Sequence, residues 1–338
     1  MMFPATSPLD SAHALESAFQ AGLHRLLAQR RLAGYILCAA NAAADPAVRA
    51  ALGAALDEQG HHHARCFARD GCADAGEEDC TVFAGMLELG EAALAPTQVR
   101  HAGPFEVQFN RLRALRPPRV SRLAPDSLYR PFDPDGFHFN RPFMLEERFW
   151  EGDLGGRTVS LYYNKYPFAR CHALLVPTRE AGLPQYLDRE TLVWVWEQVS
   201  QAATGLPDLL LTYNAFGACA SVNHLHFHLL RRDTPLPAMV ADTWPVAIRT
   251  FTAPEAAWDA IESLHAESIG YNLLLAPGRI WILPRRRQGS VPLPPWSTGF
   301  TWYEMAGGVV TTREADYAAL TADAISSALA THHVPWPA

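Results

Sequence analysis

The first part of the chain carries apolar residues at helical spacing. Leu15, Phe19, Leu23, Leu26 and Leu27 recur every three or four residues, which places them on one face of a helix. We therefore predict helices between about residues 8 and 58, within a mainly helical N-terminal region that covers residues 1–100.

From Phe105 onward the apolar positions alternate or form short runs, as they do in β-strands. The sequence predicts strands at 105–110, 159–163, 171–177 and 209–213. A helix is expected from about 188 to 204, because Asp188 is a good N-cap and Gly205 stands near the helix end.

After residue 231 a second group of elements follows. We expect a helix at 254–266 and a hairpin of strands 270–276 and 279–284 that turns at Pro277-Gly278. A last helix is predicted at 313–329. The expected fold class is α+β, an antiparallel sheet with packed helices. We expect two related halves: a catalytic half at 101–245 and a second half at 246–338 that packs with it as one unit.

The composition of the chain excludes some classes of binding partner. The 338 residues are 49% hydrophobic and 19% charged, and the formal net charge is −7. This charge argues against non-specific nucleic-acid binding and against an anionic membrane surface. There is no run of eighteen apolar residues and no secretory signal pattern at the first residues, and the six cysteines are scattered. We predict a cytoplasmic protein with reduced thiols and no membrane partner.

A group of histidines and cysteines lies between His61 and Cys80. Such residues bind structural zinc in many small motifs. The spacings match no standard zinc finger or ribbon, and an exposed irregular loop would contain the same residue types. A structural zinc here is the less favoured of the two interpretations.

The most informative segment is Val222-Asn223-His224-Leu225-His226-Phe227-His228-Leu229-Leu230. In a strand the three histidines would share one face, while Leu225, Phe227 and Leu229 would point into a core. The histidines could form a polar sheet face or bind a metal ion. We favour a third interpretation, in which a histidine is a nucleophile.

Four arginines lie within nine residues, interrupted by Pro117-Pro118. They are Arg111, Arg113, Arg116 and Arg119. They could form a solvated basic loop or a diphosphate clamp, since guanidinium groups match phosphate oxygens.

The pattern His-apolar-His-apolar-His-apolar-apolar resembles the histidine triad superfamily. The resemblance implies that the middle histidine, His226, attacks the α-phosphorus of a nucleotide and forms a nucleotidyl-histidine. His172 to Pro177 resembles the upstream family strand, so that His172 would be a proton relay or an orienting residue; a buried histidine bonded to backbone is the alternative. Asn214 and Ser221-Val222 match positions that help to hold the α-phosphate.

Further segments resemble one branch, the GDP-hexose phosphorylases, which include plant GDP-galactose and animal GDP-glucose phosphorylases. The resemblance covers roughly residues 105 to 325. One residue departs from the transferring members: His228 stands where galactose-1-phosphate uridylyltransferase carries glutamine. The segments that carry this resemblance are 108–110, 116–118, 131–134, 271–274, 279–280, 302–305 and 316–317.

The implied activity is nucleotidyl transfer from an NDP-hexose, with GDP-hexose favoured, to inorganic phosphate, without a cofactor or metal at the site. The partner is a small nucleotide sugar, and relatives with this fold often pair, so a homodimer is one expectation for the oligomeric state. The alternatives are a hydrolase, a phosphorylase of dinucleoside polyphosphates or other nucleotide conjugates, a metal-dependent enzyme, and a non-catalytic nucleotide-binding protein. The catalytic candidates are His226, His224, His228 and His172; the substrate-binding candidates are Asn164, Asn214, Ser221, Asn223, Gln108, Arg113 and Arg116.

Overall fold

The computed structural model describes residue 3 and residues 6–72, 75–116 and 125–337. Arg119 and Pro117-Pro118, which the sequence analysis singled out, lie outside the described residues. Among the described residues, no helix is both long and apolar enough to cross a bilayer.

Helices dominate the chain before residue 95. Their starts follow from local capping: the side chain of Ser11 accepts a hydrogen bond from the backbone of Ala14 at the start of the first helix, and Asp45 caps the third helix in the same way. The α-helices of this region are α1 (Ala12–Ala28), α2 (Leu32–Ala44), α3 (Pro46–Asp70) and α4 (Glu77–Leu89).

Most of the later helices lie between strands. Asp188 caps the helix at Arg189–Ala202, as the sequence predicts, by accepting from the backbone N–H of Thr191. The helices are α5 (Arg111–Ala114), α6 (Pro142–Glu146), α7 (Arg189–Ala202), α8 (Pro237–Val240), α9 (Pro254–Ala266), α10 (Trp302–Met305), α11 (Glu314–Ala319) and α12 (Ala322–Ala330).

An eight-stranded antiparallel sheet forms the centre of the molecule, with the strand order β3-β4-β5-β7-β6-β9-β10-β8. Its strands are β3 (Arg148–Leu154), β4 (Arg157–Tyr163), β5 (Arg170–Pro177), β6 (Leu209–Asn214), β7 (Phe227–Arg231), β8 (Arg249–Phe251), β9 (Gly270–Ala276) and β10 (Arg279–Arg285). This confirms the predicted α+β class. The sheet joins strands from both predicted halves, since β6 pairs with β9.

A smaller sheet joins distant parts of the chain. β1 (Gln98–Ala102) pairs antiparallel with β2 (Phe105–Phe109), and β2 pairs parallel with β11 (Gly308–Thr311). The predicted domain boundaries at residues 100 and 245 stay predictions.

The two faces of the large sheet bury different apolar clusters. Leu225, Phe227 and Leu229 belong to the cluster that includes the N-terminal helices, as their alternation predicts. Leu230 belongs to the other cluster, together with Trp302 and Tyr303 of α10. The histidine side chains alternate with the first set, so they lie on the side of α10.

Three expectations need correction. The histidine segment is strand only from Phe227, because the backbone of His226 bonds to a side chain instead of a neighbouring strand. The helix predicted at 313–329 is two helices, since Leu320 is extended and Thr321 caps a new helix. The thiols are not all reduced: Cys72 and Cys80 form a disulfide, because the turn between α3 and α4 brings their Cα atoms to 5.8 Å.

Candidate active site

His226 is buried, and its imidazole has a defined hydrogen-bonding partner. Its Nδ1 lies 2.8 Å from the backbone carbonyl oxygen of His224. A carbonyl oxygen only accepts, so Nδ1 carries the proton and Nε2 of the neutral ring keeps a free lone pair. Burial lowers the pKa of His226 to about 4, so the ring is neutral at pH 7. The arrangement leaves Nε2 able to attack an electrophile.

His224 is oriented in the opposite sense. Its Nδ1 accepts a hydrogen bond of 3.2 Å from the backbone N–H of Phe139. The proton of the neutral ring is therefore on Nε2, which is buried and has no hydrogen-bond partner within 3.5 Å among the described residues, although the backbone of Arg179 lies near enough to raise the pKa of the ring slightly. Burial, followed by the neighbouring His226, lowers the pKa of His224 to about 4. An N–H without a partner here can donate to an anionic ligand.

His228 belongs to a row of polar side chains that starts in the loop after β4. Nδ2 of Asn164 lies 3.1 Å from Nε2 of His172, and that atom lies 3.0 Å from Nδ1 of His228. His172 is fully buried on β5, the strand next to β7. Burial lowers the pKa of His172 to about 3, and the pKa of His228 lies well below its usual range for the same reason. Position and contacts support an orienting role for His172, which stays a prediction.

Aromatic rings cover the histidines. The ring of Phe139 lies 5.3 Å from that of His226 and 5.4 Å from that of His224, measured between centroids. Phe132 covers His224 from another side at 5.1 Å, and Trp302 lies 5.9 Å from His228. These rings keep water from much of the imidazole surface, which explains the lowered pKa values.

Asn214 lies at the end of β6, directly across from Asn272 of β9. Its Oδ1 accepts from Nδ2 of Asn272 at 2.7 Å and from the backbone N–H of Trp302 at 2.9 Å. These two bonds fix the orientation of the amide. Nδ2 is then the group of Asn214 that can donate to a ligand.

The structure uses Asn223 differently from Asn214. Its Oδ1 accepts from the backbone N–H of Gln185, and its Nδ2 donates to the carbonyls of Arg130 and Pro131. Asn223 thus ties two backbone segments together. Ser221 is exposed at the start of the histidine segment. The phosphate-binding roles of Asn223 and Ser221 stay predictions without support from these contacts.

Arg113 lies close to the histidines. Its guanidinium donates to the carbonyl of Tyr166 and stacks at 5.0 Å over Phe168, whose ring lies 4.5 Å from that of His172. Burial lowers the pKa of Arg113, and its charge adds to the lowered pKa of His172 and His228. This half-buried cation is positioned to attract a phosphate group.

Two other predicted ligand-binding residues, Arg116 and Gln108, contact groups beside the histidines. Arg116 stacks over the ring of Tyr166 at 5.5 Å. Gln108 is buried and donates to the carboxylate of Glu106 and the hydroxyl of Tyr303, with 2.8 and 2.7 Å between heavy atoms. Gln108 therefore belongs to a polar network beside the site, and direct contact with substrate stays a prediction.

Three residues of the site are not predicted from the sequence: Gln185, Phe139 and Asn272, which pairs with Asn214. Gln185 and Phe139 gave no periodic signal, since both lie in irregular segments. Asn272 gave one: it is a lone amide within β9, a strand whose other residues from Gly270 to Leu275 are buried and almost all apolar.

The described part of the chain contains no group of three His, Cys, Asp or Glu side chains arranged to bind a metal ion. His61, His62, His63 and Cys66 lie on α3, a regular helix and not a loop. His63 packs against the rings of Tyr35 and Phe83.

Comparisons with known proteins cover the segment of the chain that contains this site. Residues 99–230 match the sequence model of the family described as GDPGP1-like, N-terminal domain. Over this segment the chain is similar to GDP-hexose phosphorylases. The matched segment contains every histidine of the site and the arginines of α5.

Two relatives and one solved structure show how far the similarity extends. GDP-D-glucose phosphorylase 1 of Bos taurus is 35% identical over 182 residues, which are 49% of this chain and 46% of the relative. GDP-L-galactose phosphorylase 1 of Arabidopsis thaliana is 28% identical over 155 residues, 41% of this chain and 34% of the relative. The similarity thus spans less than half of these relatives. Yeast Ap4A phosphorylase Apa2 with Ap4A aligns at a TM-score of 0.49 and 16% identity, over 71% of this chain and 90% of that chain.

Proposed function

We propose that this chain is a nucleotidyltransferase that phosphorolyses an NDP-hexose, with GDP-hexose favoured, through a nucleotidyl intermediate on His226. The observation that carries the proposal is the hydrogen bond from Nδ1 of His226 to the carbonyl of His224. It directs the free lone pair to Nε2, the atom that would form the bond to phosphorus.

The reaction has two displacements. First, Nε2 of His226 attacks the α-phosphorus, a P–N bond forms, and the bond to the bridging oxygen breaks to release hexose 1-phosphate. Second, an oxygen of inorganic phosphate attacks the same phosphorus, the P–N bond breaks, and NDP leaves. Each step moves one nucleotidyl group and needs no oxidant, reductant or metal ion.

The neighbouring groups supply charge and hydrogen bonds to the transition states. Nε2–H of His224 and Nδ2 of Asn214 are donors suited to the α-phosphate oxygens, and Arg113 adds positive charge near His228. Preorganised donors of this kind supply much of the catalysis in phosphoryl transfer. Because His226 is neutral at pH 7, no proton has to be removed before attack.

The choice of GDP-hexose rests on the relatives, whose names are GDP-D-glucose and GDP-L-galactose phosphorylase. Water as the acceptor is the second candidate, because His228 stands where transferring relatives of the superfamily carry glutamine. With water, the products would be NMP and hexose 1-phosphate.

A substrate panel tests the proposal. GDP-glucose, GDP-galactose, other NDP-sugars and dinucleoside polyphosphates are incubated with wild type and His226→Asn, each with and without phosphate. We expect phosphate-dependent GDP release from a GDP-hexose by wild type and none by the variant. His62→Asn, on α3 and outside the site, is the matched control and should retain activity.

The intermediate gives a second, independent measurement. With phosphate withheld, wild type should gain the mass of one guanylyl group, which is guanosine monophosphate less one water, and acid should remove it. Activity that survives in His226→Asn would refute the covalent scheme. Release of GMP at equal rates with and without phosphate would favour the hydrolase instead.

A further inference from the structure

The backbone of His226 lies just outside the β-ladder. The last pair between β6 and β7 is Thr212 with His228. Continuing that register by two residues would put Asn214 opposite His226, and a direct backbone bond between them would be expected. The structure has a side chain in that place.

The side chain is the amide of Gln185, from the segment between β5 and α7. Its Oε1 accepts from the backbone N–H of His226 at 2.9 Å. Its Nε2 donates to the backbone carbonyl of Asn214 at 2.9 Å and to that of His226 at 3.2 Å. The amide therefore bridges the two residues that the ladder would otherwise have joined.

Gln185 is itself held at every polar group. Its backbone N–H donates to Oδ1 of Asn223 at 3.0 Å, and its carbonyl accepts from the hydroxyl of Tyr213 at 3.2 Å. The neighbouring carbonyl of Leu183 accepts from the backbone N–H of Leu225 at 2.8 Å. Only 1% of the Gln185 surface is exposed, so water does not compete for these bonds.

We propose that Gln185 is a positioning residue for the nucleophile. Its amide replaces a strand at the point where the sheet stops and fixes His226 relative to Asn214, the donor proposed for the same phosphate. This inference rests on the proposed function of His226. It also assigns a role to Asn223, whose side chain accepts from the backbone N–H of Gln185 and so helps to set the position of Gln185.

Gln185→Leu removes all three side-chain bonds at nearly constant volume. We expect the rate of adduct formation on His226 to fall about 100-fold, the effect expected for a small misplacement of a reacting group, while KM changes little. Gln198→Leu is the matched control, because Gln198 is also a buried glutamine but lies on α7 beneath Gly155. It should react at the wild-type rate.

Gln185→Glu separates positioning from general support of the fold. When protonated, the new carboxyl has an acceptor and a donor, as the amide does; when ionised, it faces two carbonyl oxygens without a proton to donate. We expect its adduct-formation rate to approach that of wild type at low pH and to fall as pH rises, whereas wild type stays level between pH 6 and 8. Thermal unfolding of each variant shows whether it is folded.

The outcomes distinguish the two claims. If wild type forms no adduct with any nucleotide tested, the proposed function fails, whatever Gln185 does. If wild type reacts and folded Gln185→Leu reacts equally fast, the positioning role is wrong. If Gln185→Leu does not fold, Gln185→Glu decides: a pH profile identical to that of wild type overturns the inference, and a selective loss at higher pH supports it.

Discussion

Lys165 and Asp79 form an ion pair, with 2.6 Å between Nζ and a carboxylate oxygen. Lys165 follows Asn164 in the loop after β4, and Asp79 lies on α4. Asp79 precedes residue 99, where the match to the GDPGP1-like family begins. The helical region therefore contacts a loop of the candidate site directly, although sequence resemblance gives that region no role.

Breaking this pair should cost stability. The side chains of Lys165 and Asp79 are only 19% and 15% exposed, so Asp79→Asn leaves a poorly solvated ammonium group. We expect the free energy of unfolding to fall by about 2 kcal/mol, below the cost for a fully buried pair. Urea denaturation measures it.

Arg30→Gln breaks an exposed pair with Glu58 and serves as the control. It should change the free energy of unfolding by less than about 0.5 kcal/mol. Equal losses of unfolding free energy in the two variants would show that the ion pair of Lys165 with Asp79 does not stabilise the contact of the helical region with this loop.

The pKa of His226 predicts a pH-dependent contribution to stability. Burial lowers this pKa from 6.5 to about 4 in the folded chain. Between these values the unfolded chain binds a proton that the folded chain does not, so stability falls as pH falls through this window and is fully present above pH 6.5. From pH 6.5 to pH 5 the loss should be on the order of 2 kcal/mol.

The measurement is urea denaturation of wild type and His226→Asn at pH 7 and pH 5. The other titrating groups are shared, so the variant should lose less stability than wild type over this interval. Equal losses in both proteins would mean that His226 titrates normally in the folded state.

His228→Gln should change the acceptor. Glutamine is the residue that transferring relatives of the superfamily carry at this position, and its amide still offers groups that can bond to His172. We expect the ratio of GMP to GDP formed from a GDP-hexose in the presence of phosphate to fall several-fold. Chromatography of the products gives this ratio.

His228→Ala removes the bond to His172 altogether and is the comparison for His228→Gln. It should lower the rate of both reactions. An unchanged product ratio in His228→Gln would show that the residue at this position does not select between water and phosphate.

The sequence alone determined several local features of the fold and of the candidate site. The alternation of Leu225, Phe227 and Leu229 with histidines put one set in the core, because side chains of extended backbone alternate. Asp188 and the apolar stripe after it defined α7, since capping and helical spacing are local properties. The spacing of the three histidines alone predicts that one of them is a nucleophile.

The tertiary structure decided where the histidine strand begins, because strand pairing depends on segments far apart in the chain. Gln185 ends the ladder at His226 from 41 residues away, and no local pattern marks that glutamine. Asn223 likewise bonds to backbone groups that are far away in the sequence. The fold of the N-terminal helices brings Cys72 to Cys80 and Asp79 to Lys165. The sequence thus determined which residues are candidates for the chemistry, and packing determined what holds each of them in place.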